Sequence, residues 1–157
     1  MPRLRTFLRM SSSERRLLLV GGVVVACVRI VLWILPFKRL VWLIERTALR
    51  SARVAPVRLL EDTKVHIAGG VTTAARYVPR ATCLTQALAA QWLFAWFGHP
   101  TLLHIGVAKG NGKPLRAHAW LESEGRVVVG GESLEQDEYA VLSPPASAVV
   151  PNRMSTP

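Results

Sequence analysis

Cysteine is scarce in this chain: Cys27 and Cys83 are its only thiols, and neither sits in a CxxC pair. That excludes a disulfide framework and a cysteine-based zinc module, and it fits a reducing cytoplasm. Acidic residues are scarce early: Lys and Arg outnumber Asp and Glu by 20 to 10, and the net charge is +10. No zinc knuckle, basic zipper or aromatic RNA-binding signature accompanies the charge, which leaves nucleic acid the weakest of the partners a basic protein invites. No small-residue cleavage site follows the first apolar run, so a secretory signal is not expected. Internal repeats and low-complexity tracts are also absent.

Half of the 157 residues are apolar, enough for one domain with a real core. The basic residues gather in the first third (Arg3, Arg5, Arg9, Arg15, Arg16, then Lys38 to Arg58), whereas Glu122, Glu124, Glu132, Glu135, Asp137 and Glu138 come late. Ser11 and Glu14 have the spacing of a capping box ahead of "LLLVGGVVVACVRIVLWILPF". The run Leu17 to Leu35 is of membrane-spanning length. Arg29 lies inside it, at a cost of about 2.5–3.5 kcal/mol for insertion, and basic residues flank both ends. A buried or membrane-surface helix is the expectation.

A second helix is expected from Phe37 to Arg50, with Phe37, Leu40, Val41, Ile44 and Ala48 on one stripe. Beyond a basic connection, Gly69-Gly70 is read as breaking a short helix, with a loop up to Pro79. Thr82 can cap a helix from Cys83 to Phe97, stopped by Gly98 and Pro100. "TLLHIGVAKG" reads as a strand, "NGKP" as a turn, "AHAWLESEGRVVVGG" as a hairpin about Glu124-Gly125, and the tail from Ser143 as extended. The chain thus divides into a helical region (1–58) that docks on a partner or membrane surface, a catalytic core (59–142) and a tail (143–157). Its fold class is α+β, N-terminal helices followed by a core in which Cys83 opens a helix packed against an antiparallel sheet.

The chemistry rests on Cys83 and His118. A cysteine at the first position of a helix meets unsatisfied N–H groups and the positive end of the dipole, which favour a thiolate. His118, between two small alanines in "AHAWLE", is the matching base, with Trp120 as a wall on its strand face. A helix-borne cysteine facing a strand-borne histidine is the two-part core of papain-like and transglutaminase-like enzymes. The histidine takes the thiol proton, the sulfur attacks an amide carbonyl, and the histidine then protonates the leaving amine. His104 is a rival base or a packed residue, while His66 and His99 read as loop or helix-end residues. Cys27 reads as an apolar filler. A metal site from Cys83, His99, His104 and His118 lacks any recognised ligand spacing, and no cofactor is expected.

In order, "CLTQALAAQWLFAWFG", "IGVAKG", "AHAWLE" and "RVVVGG" resemble the bacterial lasso-peptide leader peptidases, of the transglutaminase-like cysteine-protease superfamily. "ERRLLL" and "LPFKRL" extend the resemblance over roughly Ser11 to Leu142. It implies a cytoplasmic thiol protease that removes the leader from a ribosomally made precursor, beside an ATP-dependent cyclase, with Cys83 as nucleophile and His118 as general base. Such proteins commonly carry an aspartate about a dozen residues after the histidine; Gly130 occupies that place here.

Glu132 is the nearest carboxylate beyond Gly130. A three-residue turn at Ser123-Glu124-Gly125 would set Glu132 diagonally from His118 on the same face, within reach. A two-residue turn would turn it away, leaving a backbone carbonyl or water to orient the imidazole. The Cys83 backbone N–H is the natural first oxyanion donor, and Gln86 a candidate second. The first two helices show no winged-helix strands, so a separate leader-recognition protein is expected. It or the cyclase would dock on their apolar, basic surface. An acyl transferase or amidase using the same dyad, and a membrane-associated scaffold in which both residues merely pack, are the alternatives.

Overall fold

The computed structural model describes residues 12–54, 61–108, 115–133, 139–142 and 146–147. Four helices come first: α1 (Ser12–Ile34), α2 (Phe37–Val54), α3 (Glu61–Ala75) and α4 (Cys83–Trp96). Then follow β1 (Leu102–Ala108), β2 (Arg116–Ser123), β3 (Arg126–Val129), a 3-10 turn (Gly131–Ser133), β4 (Ala140–Val141) and β5 (Ala146–Ser147). This is the α+β arrangement expected. Ser11 and "NGKP" lie outside the described residues. Among the described residues no helix is long and apolar enough to cross a membrane.

Pro36 separates the first two helices because it has no N–H to continue α1. Its carbonyl then accepts from Arg39 N at 2.9 Å, starting α2. The expected stripe of α2 turns inward, with Leu40, Ile44 and Ala48 buried.

Gly69-Gly70 does not break α3, which runs unbroken from Glu61 to Ala75. The reason is packing. A Cβ on Gly21 of α1 would stand 3.2 Å from the Gly70 carbonyl oxygen, so the two helix backbones meet through glycine. Each mid-helix glycine costs about 1 kcal/mol in propensity, and the close approach offsets it by burying Val25, Val28, Ile67 and Val71. The buried positions of α3 do recur at helical spacing, but Lys64, Ala68, Ala74 and Ala75 hold several of them. Small and charged residues carry little hydrophobic signal.

α4 is the central element, packed on α1, α2, α3 and β2. Ala87, Leu88, Ala89, Ala90, Phe94 and Ala95 are fully buried on several sides of it, as expected of a helix surrounded by protein. The alanines let the neighbours come close. The sheet is antiparallel in the order β3-β2-β1, with the far edge of β1 shared by β4 and β5. Ala146 and Ser147, in the tail, thus pair with Leu103 and Leu102. Alternation along β2 sends Ala119 and Leu121 into the helical core with Leu103 and Val129. His118, Trp120 and Glu122 line the other face, opposite Gly106, His104 and Leu102.

Candidate functional site

Cys83 begins α4 behind a full capping box. Thr82 Oγ1 accepts from Thr85 N at 3.3 Å, and Thr85 Oγ1 accepts from Thr82 N at 3.4 Å. Threonine stands here where glutamate or glutamine usually completes the box. Cys83 is half-buried against the core cluster. Gln86 spends its backbone N–H on the Thr82 carbonyl at 3.0 Å, and its side chain is half-buried in the first turn.

The far end of α4 fixes how the helix lies on the sheet. His99 Nε2 and Ser123 Oγ, both buried, share a hydrogen bond of 2.9 Å. α4 packs against β2. Cys83 lies against the helical core cluster with Ala119 and Leu121, whereas His118 lines the opposite face of β2 with Trp120. No hydrogen bond joins the two side chains among the described residues.

His118 is 8 % exposed. Its Nε2–H donates to the Gly130 carbonyl at 2.8 Å, which leaves the lone pair on Nδ1. Tyr139 tilts against the ring at 5.4 Å between centroids, and Trp120 stacks beside it at 6.2 Å. Tyr139 was invisible to motif reasoning, and its being one of just two tyrosines is the only hint.

Gly130 replaces the expected aspartate, and its backbone does the orienting. Its φ is +86°, and a Cβ there would stand 2.9 Å from the Ala119 carbonyl oxygen, 3.0 Å from Trp120 Cβ and 3.2 Å from His118 Nε2. A side chain has no room on this backbone, so the peptide oxygen itself reaches the imidazole.

Glu132 is not brought to His118. The hairpin turns on two residues, Glu124 (φ 51°) and Gly125 (φ 76°), between Ser123 and Arg126. Both positive φ values fit the turn that matches strand twist. A bulge at Leu121/Glu122 follows, β3 ends at Val129, and Glu132 falls in the 3-10 turn. There it is exposed and lines a groove of about 680 Å³ between α3 and the hairpin, with Lys64, Thr72 and Arg126.

Lys64 lines the same groove, its side chain 5 % exposed. Its Nζ donates to Glu124 at 2.6 Å and to Glu61 at 2.8 Å. The Glu124 hydrogen bond, then that of Glu61, raise its pKa above the ordinary 10.5, against the opposing effect of burial.

His104 stacks on Trp120 at 5.3 Å, and its Nε2 lies 3.2 Å from a Glu122 carboxylate oxygen without hydrogen-bond alignment. Cys27 is exposed on α1 rather than buried in the core, because its position falls on the outer face of the helix. His66 pairs within α3 with the Asp62 carbonyl. Among the described residues no group of three or more His, Cys, Asp or Glu could hold a metal ion.

Comparison with known proteins gives one match. The family model "Transglutaminase-like superfamily" fits residues 31–144, which take in the end of α1, the other three helices and the sheet as far as β4. No curated protein and no solved structure matches the chain.

Proposed function

The chain belongs to the transglutaminase-like superfamily, and from that premise we propose that it is a cysteine peptidase that removes the leader from a lasso-peptide precursor. The observation that carries the chemistry is the 2.8 Å bond from His118 Nε2 to the Gly130 carbonyl. It fixes ring and tautomer together, so that Nδ1 is free to take a proton, the arrangement a thiol nucleophile requires of its base. Cys83, at the capped start of α4, is that nucleophile. The leader-peptidase assignment is supported by the ordered motifs from "CLTQALAAQWLFAWFG" to "RVVVGG".

In the reaction Nδ1 of His118 accepts the Sγ proton as sulfur attacks the scissile carbonyl. The oxyanion forms beside the backbone N–H groups at the start of α4. Nδ1–H then protonates the leaving amine, and water, deprotonated by the same nitrogen, releases the acyl group. Cys83 and His118 make no hydrogen bond among the described residues, so the dyad forms by a rearrangement on substrate binding; catalytic hydrogen bonds often tighten only in the substrate complex. Precursor selection falls to a separate leader-recognition protein, and the freed core passes to an ATP-dependent cyclase, all within a reducing compartment.

The test is cleavage of a precursor by this chain plus its recognition protein, abolished in Cys83→Ala and in His118→Ala. A bifunctional alkylating agent such as 1,3-dibromoacetone should also bridge Cys83 to His118. Bridging to His104 instead, or activity surviving in Cys83→Ala, would refute the assignment. An acyl transferase would share the acyl-enzyme, and release of the acyl group to an added amine in preference to water would decide for it.

A further inference from the structure

The outward face of α1 is apolar along nearly its whole length. Leu19, Val23, Cys27, Ile30, Trp33 and Ile34 are exposed at intervals of three or four residues, a stripe about 22 Å long at the α-helical rise. The inward face already supplies the core, through Val25 and Val28 at 0 % exposure. Packing among the described residues therefore gives no reason for Trp33 and Ile34 to stand 72 % and 74 % exposed. An exposed stripe of this kind marks an interaction surface.

Two further observations identify what it meets. The exposed tryptophans of α1 and α2 carry guanidinium partners: Arg29 lies 5.7 Å from the Trp33 ring centroid and Arg46 lies 5.1 Å from that of Trp42. Arg29, Ile30, Trp33 and Ile34, with Pro79 and Arg80 from the α3–α4 connection, also line a cavity of about 470 Å³. Two cations at the rim of an apolar cavity suit a phosphodiester above an acyl chain. The surrounding charge is predominantly positive, since α1 and α2 hold eight Arg and Lys (Arg15, Arg16, Arg29, Lys38, Arg39, Arg46, Arg50, Arg53) against Glu14 and Glu45.

We propose that this face docks on an anionic phospholipid surface, with Ile30, Trp33 and Ile34 at the acyl-chain boundary and Arg29 and Arg80 on lipid phosphates. Aromatic side chains suit the headgroup boundary because one end is apolar and the other tolerates water. Arginines beside them add electrostatic attraction to an anionic leaflet, and a helix lying in the interface needs both contributions. A protein partner would be expected to meet a rim of balanced charge, whereas cations outnumber acids eight to two along α1 and α2. This inference stands apart from the peptidase reading, because none of its residues belongs to the Cys83–His118 site.

The test is flotation of the full chain with vesicles of phosphatidylcholine alone and of phosphatidylcholine mixed with phosphatidylglycerol. Binding to the anionic vesicles only, reversed by high salt, is the expected result. Arg29→Gln with Arg80→Gln should weaken it roughly thirtyfold, the effect of two lost cation contacts. Trp33→Ser with Ile34→Ser should abolish it with circular dichroism unchanged, since both side chains stand outside the core. Equal binding to neutral vesicles, or no binding to either, overturns the proposal. So does a dimer or a complex with a protein partner that the Trp33→Ser, Ile34→Ser pair disperses while vesicle binding persists in that variant.

Discussion

At the C-terminal end of α4, His99 and Ser123 lie 2.9 Å apart, each only 3 % exposed; at its N-terminal end Cys83 is half-buried and His118 keeps one ring nitrogen uncommitted. Each end holds an imidazole, but among the described residues only the first meets a hydroxyl. The difference lies in what the polar atoms are already doing. His99 and Ser123 satisfy each other inside the protein, so their contact ties helix to strand and gives a substrate no entry. His118 is anchored through Nε2 to a backbone oxygen, which leaves Nδ1 with capacity to spare. A histidine beside a nucleophile is thus no signature of catalysis until its second nitrogen and its access are known.

The strongest way to break that contrast is to remove the thiol at one end and the hydroxyl at the other. Cys83→Ala should reduce precursor cleavage at least about a thousandfold, while Ser123→Ala should leave the cleavage rate within about twofold. Ser123→Ala should instead lower stability by about 1–3 kcal/mol, the cost of leaving a buried His99 nitrogen without its partner; denaturant unfolding measures it. Activity lost in Ser123→Ala with stability unchanged would reverse the roles of the two ends.

Next in size is Gly130→Ala. A Cβ there meets the Ala119 carbonyl oxygen at 2.9 Å and His118 Nε2 at 3.2 Å, at a φ of +86°. We expect a loss of about 1–3 kcal/mol in stability and, if His118 is the proposed base, a fall in kcat larger than any change in KM, because the orientation of its ring is disturbed. Gly130→Asp should not improve activity, since the backbone has no space for the carboxylate. Thr82→Ala, which removes the cap ahead of Cys83, should cost about 1 kcal/mol.

The smallest effect sharpens the comparison at the other end. Lys64 has a folded pKa above 10.5, so its ion pairs stabilise the fold fully below that pH. Their contribution is lost as pH rises through the higher folded value. Thermal unfolding of the parent protein should therefore show a component that falls above pH 10.5 and is missing in Lys64→Met. Cleavage at neutral pH should be nearly unchanged in that variant.

Much of this was legible in the residues. Thr82, Gly98 and Pro100 delimited α4 to within one residue, because caps and stops act locally. Alternation in "TLLHIGVAKG" and "AHAWLE" marked β1 and β2, and Glu124-Gly125 marked the turn. α3 was not legible past Gly69-Gly70, because its continuity depends on Gly21 of a distant helix. Glu132 was misplaced because its position depends on turn length, and a single residue of register reverses a strand's faces. The pairing of Ala140 and Ala146 with β1 was also hidden, since two-residue strands leave no periodic trace.

By itself the sequence determined α4, β1, β2 and the hairpin turn, and the candidate nucleophile and base, because capping, chain breaking and alternation are decided by neighbours a few positions apart. Tertiary structure alone decided which nitrogen of His118 is free, that Gly130 offers a peptide oxygen in place of a carboxylate, and that Glu132 faces another groove. Those depend on register and on backbone approach between segments remote in the chain, where a shift of an ångström or one residue changes the partner.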